Sequence, residues 1–124
     1  MAKNIVVILG PTASGKTLLA AKLAYDLQGE IISADSRQVY ENMDIGTGKD
    51  LNQYMINDRR IPYHLIDIVA PESEFSVFEF QKRFYKIFIE LIEKKNLPVL
   101  VGGTGLYLRA LLYGLDPLPG DAAL

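Results

Sequence analysis

The chain has no cysteine and a single histidine, which argues against disulfides, thiolate metal sites and histidine-built metal centres. Nothing in that composition calls for an oxidising compartment, so the cytoplasm is the expected location. Positive charge is not in excess either: 13 Lys and Arg stand against 15 Asp and Glu, a formal charge of -2. A chain so balanced has no global attraction for nucleic-acid phosphates, and any such surface must be local. The apolar segment Ile5-Val6-Val7-Ile8-Leu9 is far too short to cross a bilayer and lacks a cleavage-site pattern, so no membrane role is expected. No internal repeat is visible. What is present is a 124-residue sequence, 49% apolar and 23% charged, which suits one soluble globular core of modest stability.

Ile5 to Leu9 is continuously apolar and β-branched, the composition of a parallel strand covered on both faces, and it runs directly into Gly10. From Lys16 to Leu27 the apolar spacing of Leu19, Leu23 and Leu27, with Ala20 and Ala24 beside them, predicts a helix stopped by Gly29. A second strand is expected over Glu30 to Ala34. The polar stretch Arg37 to Arg60 reads as mostly loop with short helices. A third strand is expected at His64-Leu65-Ile66-Asp67-Ile68, between Pro62 and Pro71.

Ser76 then opens the best-marked helix. Its hydroxyl can cap Glu79, Glu79 can return the bond, and Phe75 can pack on Phe80 as a hydrophobic staple. That helix should run to about Lys95, where Lys94 and Lys95 suit the negative end of its dipole. Pro98 opens a fourth strand through Val101, followed by Gly102-Gly103-Thr104-Gly105. A last helix through Leu106, Leu108, Leu111 and Leu112 should stop at Gly114, with Pro117-Leu118-Pro119-Gly120 as a linker. Strands alternating with helical crossovers predict an α/β fold: a parallel sheet covered by helices on both faces. Ligands of such sheets bind beyond the carboxyl ends of the strands, where the Gly10 loop, Asp35, Asp67 and the Gly102 turn all fall.

The string Gly10-Pro11-Thr12-Ala13-Ser14-Gly15-Lys16-Thr17 satisfies G-x-x-x-x-G-K-T between a strand and a helix, the context a phosphate-binding loop requires. Gly10 and Gly15 let successive amides point inward at an anion, and the helix N-terminus adds partial positive charge. Lys16 supplies a point charge and Thr17 can hold Mg2+. A loop of this kind does not name a reaction.

Behind the loop come Asp35-Ser36-Arg37-Gln38-Val39-Tyr40, Gly46-Thr47-Gly48-Lys49, His64-Leu65-Ile66-Asp67 and Gly102-Gly103-Thr104-Gly105-Leu106-Tyr107. In this order they resemble the tRNA dimethylallyltransferase family. The resemblance implies a P-loop, nucleotide-kinase-like three-layer fold, here truncated after about four strands. It further implies transfer of a dimethylallyl group from its diphosphate to the exocyclic amine of the adenine beside the tRNA anticodon. On that pattern Gly10, Thr12, Ala13, Ser14, Gly15, Lys16 and Thr17 would hold the diphosphate, and Thr17 would place Mg2+ on it. Asp35 looks like the general base and Thr104 like the hydroxyl at the reacting centre. Asp35, Ser36 and Gln38 would meet the tRNA. From the residues alone Asp35 and Asp67 cannot be ranked.

The same resemblance makes residues 1–114 an incomplete P-loop core, and residues 115–124 a linker or the start of a helical tRNA-binding insertion. The expected partners are dimethylallyl diphosphate and, for the full-length protein, the tRNA anticodon loop, with the protein a monomer. Arg37, Lys49 and Arg109 read as ordinary solvated surface. His64 reads as a buried, hydrogen-bonded histidine. Phe75, Phe78, Phe80, Phe84, Tyr85 and Phe88 have helical spacing, which favours core packing over base stacking.

The chain departs from the family pattern after Lys49, where Asp50 and residues 51–60 replace a proline and a different approach to the third strand. Tyr63 stands where a histidine is common. Three rival readings remain on sequence: a small-molecule or nucleotide kinase, an adenylate dimethylallyltransferase that makes cytokinins, and a core retained only as a fold.

Overall fold

The structure is a computed structural model that describes residues 5–10, 15–35, 38–41, 51–70 and 72–102. Four strands form one parallel sheet: β1 (Val6–Leu9), β2 (Gly29–Ser33), β5 (Tyr63–His64) and β6 (Leu97–Gly102), in the order β1-β6-β2-β5. The late strand β6 is thus central, pairing Val6 to Leu9 with Val99 to Gly102 on one side and Gly29 to Ser33 with Leu97 to Val101 on the other. Among the described residues two α-helices cover it, α1 (Lys16–Leu27) and α2 (Val77–Lys94).

Strand alternation divides the core into two layers. Ile31, Val99 and Val101 pack with Ala20, Ala21 and Ala24 of α1, whereas Ile32 and Leu100 pack with Phe80, Phe84 and Leu91 of α2. The alanines let α1 lie close to the sheet, and the aromatic stripe of α2 fills a deeper space. Phe80 is fully buried, while Phe78 and Tyr85 point to solvent, so most of that aromatic set is core.

Several local expectations are corrected. The turn ending α1 is made by Gln28, which adopts the left-handed conformation at φ 55° and returns its amide to the Ala24 carbonyl. Gly29 instead begins β2, because a Cβ there would lie 2.7 Å from the Leu97 carbonyl of the neighbouring strand. Ser76 does accept from the Glu79 amide at 3.1 Å, but the Glu79 carboxylate turns to Arg83 at 3.1 Å rather than closing a capping box.

The third strand is short. Leu65 and Asp67 take left-handed φ values of 66° and 57°, which ends sheet pairing after His64. The chain then pairs with another segment: the amides of Asp67 and Ile68 donate to the carbonyls of Gln38 and Val39, at 2.9 and 2.8 Å. Ahead of β5, the stretch expected to be loop with short helices holds a 3-10 helix (Leu51–Tyr54) and a hairpin of β3 (Met55–Ile56) and β4 (Arg59–Arg60). Its turn residues Asn57 and Asp58 both have positive φ, the requirement of the tight hairpin turn that matches strand twist. The expected last helix, the 117–120 linker and the 115–124 segment lie outside the described residues.

Candidate functional site

The carboxyl ends of β1, β2 and β6 meet at one edge. The Gly10 amide donates to the Gly102 carbonyl at 3.3 Å, and the Ala34 amide donates to Val101 at 2.8 Å. The approach is close enough that a Cβ on Gly102 would lie 3.0 Å from the Ala34 Cβ. The backbone at Gly10, Ala34 and Gly102 is therefore drawn together at that edge.

Gly15 enters α1 in the left-handed conformation at φ 79°, a state glycine adopts at no steric cost. Gly15, at the cap position, has no side chain to cap the helix, and the first turn contains no acidic residue. The N-terminal amides and the dipole they carry are thus left without an anionic side chain of their own helix. Lys16 and Thr17, the first two residues of α1, are both buried. A buried ammonium needs partners, and Lys16 Nζ donates across the loop to the Gly10 carbonyl.

Against α1 packs a residue that the sequence does not single out. Tyr54, at the end of the 3-10 helix, is 3% exposed and packs in the same apolar cluster as Ala20, Ala21 and Ala24 of α1. Burial pushes the Tyr54 phenol up to about 12 and the neighbouring Tyr63 adds to the rise. The Tyr63 ring lies 4.8 Å away, centroid to centroid, at a tilt of 31°. The available signal was the departure of residues 51–60 from the family pattern, which places a tyrosine where nothing in periodicity requires one.

Beside this lies a polar knot at the end of β2. The Ser33 hydroxyl donates to Gln38 Oε1 at 2.9 Å and accepts from the Asp35 amide at 3.3 Å. The Gln38 amide closes the turn on the Asp35 carbonyl at 3.2 Å. Gln38 is 7% exposed, so it is not the solvated turn side chain its polarity alone would suggest. Asp35 is half-buried. Asp67 joins through its backbone, by the bond to the Gln38 carbonyl.

His64 is remote in role. Its Nε2 donates to Glu30 Oε1 at 2.8 Å near the opposite end of β2, where Asn96 and Lys94 also reach the Glu30 carboxylate, at 2.7 and 3.0 Å. Thr12, Ala13, Ser14, Ser36 and Thr104 lie outside the described residues, as do Arg37, Lys49 and Arg109. Among the described residues no group of three His, Asp or Glu side chains could hold a metal ion, and no helix is long and apolar enough to cross a membrane.

A parallel sheet with helices on both faces, whose first strand enters a helix through a G-x-x-x-x-G-K-T loop, defines an α/β protein of the P-loop fold. A model of the IPP transferase family matches residues 38–124. Over 112 residues the chain is 65% identical to tRNA dimethylallyltransferase 1 of Syntrophus aciditrophicus (strain SB), covering 90% of this chain and 37% of that protein. It is 58% identical over 116 residues to tRNA dimethylallyltransferase 2 of Phocaeicola vulgatus, covering 94% and 38%. Among solved structures, the full-length tRNA isopentenylpyrophosphate transferase from Bacillus halodurans is similar at a TM-score of 0.82 and 44% identity, covering 94% of this chain and 38% of that one. A eukaryotic dimethylallyltransferase acting on tRNA is similar at a TM-score of 0.81 and 29% identity, covering 99% and 29%. This chain belongs to the IPP transferase family. It spans less than two fifths of the two curated relatives, 37% and 38% of their lengths.

Proposed function

We propose that this chain supplies the diphosphate-binding core of an enzyme that moves a dimethylallyl group from its diphosphate to the exocyclic amine of the adenine beside a tRNA anticodon. The observation that carries the reading is the buried Lys16–Thr17 pair at the head of α1, entered through left-handed Gly15, on the same sheet edge as Asp35 and Gln38. The names of the relatives support the same reaction.

In this reaction the allylic carbon–oxygen bond breaks, its electrons leave with the diphosphate, and the adenine nitrogen bonds the carbon. The leaving oxygens gain negative charge as the bond lengthens. Donors fixed in advance lower that barrier most, and the Lys16 ammonium with the loop amides would serve here. The amine is a poor nucleophile until its proton is lost, and the Asp35 carboxylate would accept that proton as the carbon–nitrogen bond forms. Gln38 would face the adenine, held in one orientation by the Ser33 hydroxyl. Thr104 would act on the leaving oxygen.

The donor set suits magnesium. Thr17 offers one hydroxyl oxygen at a helix start free of acidic residues, and Mg2+ commonly takes few protein oxygens alongside substrate phosphates. When bound, the ion would neutralise charge on the diphosphate. A tRNA acceptor is consistent with a cytoplasmic location.

Thermal melting tests the reading. Inorganic pyrophosphate or dimethylallyl diphosphate with Mg2+ should raise the melting temperature, by about 2.7 kcal/mol of stabilisation at a hundredfold excess over Kd. Lys16→Ala should abolish the rise. ATP consumption with a nucleotide acceptor, and no response to the allylic diphosphate, would turn the assignment to a kinase.

A further inference from the structure

Ser33 places a hydroxyl inside the sheet. It ends β2, which lies between β6 and β5, follows Ile31 and Ile32, and is 2% exposed. A buried hydroxyl is costly unless it is bonded, and this one is bonded twice. Its oxygen accepts from the Asp35 amide at 3.3 Å, and it donates to Gln38 Oε1 at 2.9 Å. The two bonds are linked. A peptide N–H can only donate, so the Ser33 oxygen meets it with a lone pair, and the single hydroxyl proton is directed to Gln38. A proton aimed at a side-chain amide selects its oxygen, which turns Nε2 and its two hydrogens away from Ser33. Backbone bonds hold the segment in place: the Gln38 amide donates to the Asp35 carbonyl at 3.2 Å, and the Gln38 carbonyl accepts from the Asp67 amide at 2.9 Å.

Adenine carries ring acceptors at N1 and N7, on either side of the carbon that bears the exocyclic amine. An amide presenting Nε2 can bond either acceptor. One presenting Oε1 would instead take an amine proton, in competition with the carboxylate that must receive it. We propose that Ser33 is a positioning residue that makes Gln38 a hydrogen-bond donor toward the target base. The site then selects its base by a ring-nitrogen acceptor beside the amine and leaves the amine protons to Asp35. The proposal rests on the reading of Asp35 and Gln38 as the adenine site.

Nuclear magnetic resonance of the isotope-labelled chain tests it. Without ligand, the Gln38 Nε2 hydrogens should show no close Overhauser contact with the Ser33 β-hydrogens, a measurement that needs no variant. Anticodon stem-loop RNAs carrying adenine, 1-deazaadenine or 7-deazaadenine at the target position are then titrated in. The adenine RNA should shift the Gln38 Nε2 signals and bind about 3- to 10-fold more tightly than the deaza RNA that lacks the contacted nitrogen. Ser33→Ala should erase that preference. In a Gln38→Met background, which deletes the amide, adding Ser33→Ala should change the preference no further. A close contact between the Nε2 hydrogens and Ser33, equal binding of all three RNAs by the wild-type chain, or a preference kept by Ser33→Ala overturns the inference. Adenine RNA that binds and leaves the Gln38 signals unmoved overturns the adenine-site reading and this inference together, whereas moved signals with an unaltered preference in Ser33→Ala overturn the inference alone.

Discussion

Gly15 and Gly29 lack side chains for different physical reasons, and alanine at each separates folding from ligand capture. At Gly15 a Cβ would meet no atom within 4 Å, but φ is 79°, so the cost is one of backbone conformation. At Gly29 φ is ordinary and the obstacle is the Leu97 carbonyl, 2.7 Å from an added Cβ. Gly15→Ala should cost about 1–2 kcal/mol and disturb the loop geometry, weakening pyrophosphate binding. Gly29→Ala must push two paired strands apart and should cost about 1–3 kcal/mol, the range for overpacking, while the surviving folded protein keeps its affinity. Urea denaturation of each variant, paired with a pyrophosphate titration, reads both quantities. Loss of affinity in Gly29→Ala without loss at Gly15→Ala would contradict this division.

Elements are joined at the other end of the sheet by Glu30, a buried carboxylate on β2 bonded to His64 of β5, Lys94 of α2 and Asn96 just before β6. Burial pushes its pKa up, but hydrogen bonds from His64, Lys94 and Asn96, with the charge of Lys94, outweigh that and leave it below its ordinary 4.5. Folding thus favours the charged form. The stabilisation is fully present above 4.5 and is lost as pH falls through the lower folded value. The melting temperature of the wild-type chain should therefore drop on acidification to about pH 3, and Glu30→Gln should melt lower at neutral pH but fall less steeply in acid. Parallel slopes for the two proteins would remove Glu30 from the account. None of this cluster was visible in the sequence beyond the reading of His64 as hydrogen-bonded, because its members are distant in the chain and meet only once the strand order is known. Helices α1 and α2 and the two central strands were legible from their apolar pattern, whereas the unbroken run of β1 overstated its cover, because among the described residues β1 is an edge strand and its Val7 and Leu9 are exposed. β5 was overextended because Leu65, Ile66 and Ile68 carry strand-like composition while Leu65 and Asp67 hold left-handed backbone that composition does not encode. The loop motif was legible, but the burial of Tyr54 against α1 was not, since it depends on where the 3-10 helix folds back.

At the scale of the whole molecule, capture of a diphosphate and recognition of tRNA make different demands. On the proposed reading the first needs only the edge where β1, β2 and β6 end. The second needs a surface that neutralises many phosphates, and each such contact adds to the salt dependence of binding. The chain has a formal charge of -2. Two of its basic side chains, Arg83 and Lys94, are already engaged with Glu79 and Glu30. It spans 37% of the Syntrophus relative and 38% of the Bacillus structure. The 124-residue chain should therefore bind pyrophosphate with Mg2+ yet bind tRNA weakly, with a shallow dependence on salt. Transfer of labelled dimethylallyl from its diphosphate to tRNA should run far below the rate of a full-length relative assayed beside it. A rate near that of the relative would place the tRNA surface within these residues. Slow transfer with intact pyrophosphate binding would instead divide the activity between the loop edge and the remainder that the relatives possess.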